Sequence, residues 1–204
     1  MKLYYVHDPM CSWCWAFRPV LLALKDKLPK DIEFIRLLGG LAPDRDIPMS
    51  EETKRYVIDN WRRIQQQLPE TQFNYDFWEK CKPRRSTYPA CRAVLAARKQ
   101  GAQHDEAMTY AIQQAYYLQA KNPSDNETLI ALAKQLGLNV SEFSQDLNSI
   151  NINELLLHEI HTARELKLNS FPSFLLMGET QAMHIKPDYS HAEMILDKIQ
   201  HANL

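Results

Sequence analysis

The sequence predicts an α/β fold that carries an all-helical insertion, and three observations lead there. Residues 3–6 and 32–38 are short apolar runs separated by a helical pattern, which makes a β-α-β unit. Residues 48–149 show helical periodicity and no convincing strand. The remainder reads as a helix, two short strands about a Gly178-Glu179 turn, and a final helix.

Each element has its own warrant. Leu3, Tyr4, Tyr5 and Val6 are aromatic or branched and read as a buried strand, which His7-Asp8-Pro9-Met10 breaks. From Cys11 the pattern turns helical, with Trp15, Leu22, Leu24 and Leu28 at its apolar positions; Pro19 predicts a kink because it removes a backbone donor. Ile32, Phe34 and Ile35 carry the second strand, Gly39-Gly40 closes it, and a helical crossover makes the two strands parallel. Ser50-Glu51-Glu52 starts a helix that runs through Tyr56, Val57, Trp61 and Ile64. Residues 89–99 form an Ala-rich helix, and residues 105–120 another with Met108, Ala111, Ile112 and Ala115 among its apolar positions. Ser124-Asp125-Asn126-Glu127 caps a helix ending at Gly137, and Ser141 begins a short one. Residues 153–166 carry Leu156, Ile160 and Ala163 on one helical face, residues 171–177 and 181–185 pair as a hairpin, and residues 189–201 close the chain as a helix. With the middle set aside, this is the element order of the thioredoxin fold. The expected organisation is a discontinuous thioredoxin-like domain, residues 1–43 and 150–204. Residues 44–149 are then an inserted helical domain over the active-site face.

Composition narrows the function classes. Twenty-four Lys and Arg balance twenty-five Asp and Glu, a net charge of −1, so nothing in the charge calls for nucleic acid or an anionic membrane as partner. No apolar run approaches the ~20 residues that span a bilayer. The first eight residues do not make a secretory signal, because their apolar run is short and Asp8 follows at once. The expectation is a cytoplasmic protein, where thiols stay mostly reduced. Four cysteines in 204 residues are no disulfide framework, which leaves a redox or metal role for them.

Cys11-Ser12-Trp13-Cys14 carries the chemistry. Two cysteines two residues apart at a helix start can close a small disulfide ring. Cys11 would sit at the helix N-terminus, where unpaired N–H groups and the dipole favour a thiolate. Cys14, one turn inside, is expected to be buried and to resolve the mixed disulfide that Cys11 forms. The competing reading is half of a zinc site, but zinc needs two further ligands of similar spacing. Cys81 and Cys91 lie ten positions apart with no ligand pattern around them, so neither a metal nor another cofactor is called for. His7 titrates near neutrality and, with Asp8, either moves protons near Cys11 or is an idle surface loop residue. Trp13 is expected exposed and against substrate, and Trp15 and Phe17 in the core. Trp61, Tyr116 and Tyr117 either line a cleft of the insertion or pack within it. Cys81 and Cys91 are expected to be inert.

Three segments in the same order carry a family resemblance. They are Asp8-Pro9-Met10-Cys11-Ser12-Trp13-Cys14-Trp15, Ser86-Thr87-Tyr88-Pro89-Ala90-Cys91-Arg92-Ala93 and Phe171-Pro172-Ser173-Phe174. On them the chain resembles the DsbA family of thioredoxin-like proteins, most closely its FrnE-like branch. The resemblance implies that Pro172 is cis and lies beside Cys11, leaving the backbone of Phe171 to pair with an extended substrate. It implies Cys11, Cys14 and Pro172 as catalytic, with Phe171, Trp13, Ser12 and His7 as substrate contacts. The implied activity is thiol–disulfide exchange through a Cys11 mixed disulfide, on a protein or small-molecule substrate, glutathione among them. Two departures stand out. Many periplasmic members have Pro-His between the cysteines, and Ser12-Trp13 lacks that imidazole, which predicts a less oxidising protein. Members often have a glutamate six positions before the first cysteine, and here Tyr5 stands there. Two other readings remain in view. Kappa-class glutathione transferases and 2-hydroxychromene-2-carboxylate isomerases share the architecture but use a single serine or cysteine. A non-enzymatic holdase or metal carrier is the other.

Overall fold

The computed structural model describes residues 1–202. Positions 203 and 204, the end of the expected discontinuous domain, lie outside the described residues. The chain divides into two compact units: Met1–Gly39 together with the chain from Glu159 onward, and Gly40–His158.

The first unit is built on a four-stranded sheet. In chain order its elements are β1 (Lys2–His7), α1 (Ser12–Lys27) and β2 (Glu33–Leu38), then, after the second unit, β3 (Ser173–Met177), β4 (Ala182–Ile185) and a C-terminal helix, Ala192–Gln200. The strand order is β2-β1-β3-β4. β1 pairs with β2 in parallel, from Lys2 opposite Glu33 to His7 opposite Leu38. It pairs with β3 antiparallel, from Lys2 opposite Met177 to Val6 opposite Ser173, and β3 and β4 form the hairpin. This is a mixed α/β, thioredoxin-like sheet.

Alternation along β1 sorts the core into two layers. Leu3 and Tyr5 face one side, where they meet Phe17, Leu21 and Leu24 of α1, Phe174 and Leu176 of β3, and Ile195 and Ile199 of the C-terminal helix. Val6 faces the other side, with Leu37, Ala163, Leu168 and Leu175. A fully buried phenylalanine such as Phe17 or Phe174 is worth ~3–5 kcal/mol against alanine, so this packing sets the sheet firmly beneath the start of α1. α1 continues through Pro19 as one element, although Pro19 offers no N–H to the carbonyl one turn back.

The second unit is helical. It holds α2 (Glu51–Gln67), α3 (Phe77–Lys80), α4 (Tyr88–Lys99), α5 (His104–Tyr117), α6 (Asn126–Gln135) and α7 (Val140–Leu147), and α8 (Ile150–Glu165) leads out of it; the C-terminal helix is therefore α9. Small residues let α4 sit at the centre. Pro89 through Ala97 are all buried, and α5, α6 and α7 pack on it. Arg92 is the charged residue within that buried run. Its guanidinium is held in a fork by Asp44 at 2.7 and 2.8 Å and donates to the Leu147 carbonyl at 3.2 Å. Trp61 is the hub of an aromatic cluster with Phe73, Tyr75, Phe77, Trp78, Tyr116 and Tyr117, so these rings pack rather than line a cleft.

Several sequence expectations shift at their edges. The segment read from residue 153 begins at Ile150, and the last helix begins at Ala192 rather than at residue 189. The single turn α3 has too few residues to show a period. Trp15, expected in the core, is half-buried, whereas Phe17 is fully buried.

Candidate functional site

β1 delivers the site. Its end at His7 is followed by a turn in which the Cys11 N–H donates to the Asp8 carbonyl at 3.0 Å and the Met10 N–H to Asp8 Oδ1 at 2.8 Å. The turn aims the chain into α1, with Cys11 as its N-cap in extended conformation (φ −81°, ψ 117°). Cys11 is 7 % exposed and Cys14 1 % exposed. Among the described residues all four cysteines are free thiols.

The two thiols are pushed apart in acidity. The Cys14 thiol, donating to Cys11, does most to hold Cys11 below the ordinary thiol value. Burial works against it, the Cys14 N–H favours the thiolate, the Asp8 carboxylate opposes it, and the Trp13 N–H favours it. Burial pushes Cys14 well above that value, and the hydrogen bond and negative charge of Cys11 push it further. The Asp8 N–H pulls it back a little, and the Asp8 carboxylate adds to the rise. Of the two, Cys11, at the helix N-cap and the less buried, is the one that ionises first.

The third strand completes the site. The Phe171–Pro172 peptide bond is cis, just before β3. The carbonyl of Phe171 accepts from Cys11 Sγ at 3.5 Å across 160 residues of sequence. Pro172 is thereby one residue from the thiol contact, and Phe171 is half-buried.

The other sequence-predicted residues separate. Ser12 is buried. Trp13 is half-buried rather than exposed, its ring edge-on to Tyr189 at 5.0 Å. His7 is 1 % exposed and Asp8 0 %, so neither is the surface loop residue that one reading had. The His7 ring stacks on Tyr5 at 5.2 Å, and its Nε2 lies 3.1 Å from Arg36 Nη2. Arginine only donates, so Nε2 accepts and the ring proton is on Nδ1. Its ring thus has almost no surface to offer an arriving molecule.

Two tyrosines also belong to the site: Tyr5, which the sequence puts six positions before Cys11, and Tyr189, which sequence reasoning did not place there. Tyr5 is buried beneath the thiols, and burial, then the charge of Cys14, raises its phenol well above its usual value. Tyr189 packs on Trp13 and Phe17, and burial followed by Cys14 and Cys11 raises it strongly. Both are held in the phenol form. Asp188 held the missing signal for Tyr189. Its Oδ1 accepts from the N–H groups of Ser190 and His191, the turn of a helix start, which leaves Tyr189 outside the helix.

Residues 4–196 match a family model described as Thioredoxin. The chain belongs to the thioredoxin family. Among thioredoxin-like structures it is similar to a candidate protein disulfide isomerase from Nitrosomonas europaea, with a TM-score of 0.82 and 24 % identity over 98 % of each chain. It is also similar to the cytosolic disulfide reductase DsbM from Pseudomonas aeruginosa with GSH, at a TM-score of 0.72 and 22 % identity over 91 % of this chain and 90 % of that one. Among curated relatives, the ClpXP adapter protein SpxH of Halalkalibacterium halodurans is 25 % identical over 183 residues, 88 % of this chain. The chain spans 59 % of the length of that relative.

Proposed function

We propose that this protein is a dithiol–disulfide oxidoreductase in which Cys11 is the nucleophile and Cys14 the resolving thiol. The observation that carries the reading is the split between them: Cys11, whose Sγ lies 3.5 Å from the Phe171 carbonyl, is the more acidic thiol, and the buried Cys14 is the less acidic one. The Cys11 thiolate attacks one sulfur of a substrate disulfide, and the other sulfur leaves as a thiolate and takes up a proton. Cys14 then loses its proton and attacks Cys11 Sγ, expelling the second substrate thiolate. The substrate gains two electrons and the protein is left with a Cys11–Cys14 disulfide. Two equivalents of a small thiol such as glutathione return it to the dithiol; the structure of DsbM with GSH supports that choice. Protein disulfides are the other substrate class, met along the main chain of Phe171 and beside Trp13. A reducing, cytosolic setting fits this direction, and DsbM is itself a cytosolic disulfide reductase.

Equilibration in glutathione redox buffers tests the reading, with thiols counted by alkylation and mass spectrometry. The expected result is a two-electron transition, tenfold in equilibrium constant per ~30 mV, that disappears in Cys11→Ser and in Cys14→Ser. No transition, or one that survives both substitutions, overturns it.

A second reading has its own support in the SpxH relatives, which are named adapters. An adapter would bind ClpXP or a client with both cysteines replaced. Binding of the Cys11→Ser/Cys14→Ser variant at wild-type strength, with no redox transition in the wild type, selects that reading.

A further inference from the structure

Gly39 follows β2 directly, and its N–H donates to the His7 carbonyl at 2.8 Å, one step beyond the last strand pair of His7 and Leu38. Its backbone is pinned beside the turn that leads to Cys11. On the opposite flank of β1, β3 begins at Ser173, facing Val6, so Phe171 stands at the same end of the sheet. The Phe171 ring packs with the layer of Val6, Leu37, Leu168 and Leu175 and reaches back over Gly39. A methyl group on Gly39 would lie 2.7 Å from Cδ1 of that ring, and closer still to Cε1 and Cζ. Gly40 has φ 61°, a conformation that favours glycine for its backbone. Gly39 lies outside that range, so its backbone suits any residue, and the three atoms nearest to an added Cβ all belong to the ring.

We propose that Gly39 is a positioning residue of the thiol site: the space left by its missing Cβ seats the Phe171 ring, and the seated ring holds the Phe171 carbonyl against Cys11 Sγ. The bearing on activity rests on the oxidoreductase reading above; the bearing on Cys11 does not. With alanine at 39 the pinned backbone has no room to retreat, so the ring swings out and the carbonyl goes with it. That carbonyl accepts from the neutral thiol, so its loss disfavours the neutral form, and Cys11 ionises at lower pH. A substrate docking along Phe171 is misplaced at the same time.

The test is a double-mutant cycle of Gly39→Ala and Phe171→Ala with two readouts: the pH profile of Cys11 alkylation by iodoacetamide, located by mass spectrometry, and the rate of exchange with a small disulfide. Gly39→Ala is expected to move the alkylation midpoint to lower pH and slow exchange several-fold. In the Phe171→Ala background the same substitution is expected to move neither, because the ring it would strike is gone. No effect in the wild type, or equal effects in both backgrounds, overturns the proposal. Should Gly39→Ala not fold, recovery of the fold in the double variant supports it and failure there overturns it. If the wild type exchanges no disulfides, the oxidoreductase reading falls, and the alkylation midpoints still decide the role of Gly39.

Discussion

Cys11 and Cys81 make a matched pair, one in each compact unit, with opposite outcomes. Both thiols donate to a main-chain carbonyl, Cys11 to Phe171 at 3.5 Å and Cys81 to Ala120 at 3.1 Å. Cys11 is the N-cap of α1, a 16-residue helix, whereas Cys81 is the C-cap of the single turn α3. An N-terminus presents unpaired N–H groups and a C-terminus presents unpaired carbonyls. Cys11 is pushed below the ordinary thiol value, chiefly by the Cys14 thiol; Cys81 is pushed above it, chiefly by burial and then by the Asp125 carboxylate. The residue type is the same and so is the carbonyl acceptor. What differs is the neighbourhood: a donating thiol lowers Cys11, while burial and then an anion raise Cys81.

The comparison breaks most directly at the nucleophile itself. Cys11→Ser is expected to lower the disulfide-exchange rate by at least ~100-fold, since a serine hydroxyl has no comparable nucleophilicity, and Cys81→Ser to leave it within about twofold. Equal losses in the two variants would show that the settings do not differ in the way described. Next in size, Cys14→Ala removes the strongest influence holding Cys11 down. The midpoint of Cys11 alkylation against pH should rise, and mass spectrometry should find substrate trapped on Cys11 as a mixed disulfide. An unmoved midpoint would mean that the helix end alone sets the acidity. A smaller effect is expected from Asp8→Asn, which keeps an acceptor for the Met10 N–H but deletes a negative charge opposing ionisation of both thiols. The Cys11 midpoint should then fall. Asp125→Asn should lower the Cys81 midpoint least of all, because that thiol is half exposed and solvent screens the carboxylate. A larger shift at Cys81 than at Cys11 would reverse the comparison.

The framework of this site was legible because it is local. The β-α-β pattern, the C-x-x-C at a helix start and the proline-preceded strand are each written in a few consecutive residues. What escaped depends on partners far along the chain. The burial of His7 and Asp8 follows from their place at the end of a central strand, flanked by β2 and β3, which no local pattern reveals. Tyr189 reaches Trp13 only after β3 and β4 have folded back beside β1. Gly39 reads as a strand terminator, and its steric role exists only against Phe171. The helix edges slipped for a different reason: Ile150 is highly exposed and gave no apolar period by which to start α8.

The contact between Cys11 and Phe171 joins residues 160 positions apart, which sets an order of events during synthesis. Ribosomes add ~5–20 residues per second, so the dithiol exists on a growing chain for roughly 8–30 seconds before Phe171 is made. Through that interval Cys11 has neither the carbonyl nor the third strand that shapes its surroundings. The nascent protein therefore carries its two thiols without the Phe171 surface that neighbours Cys11 in the finished fold.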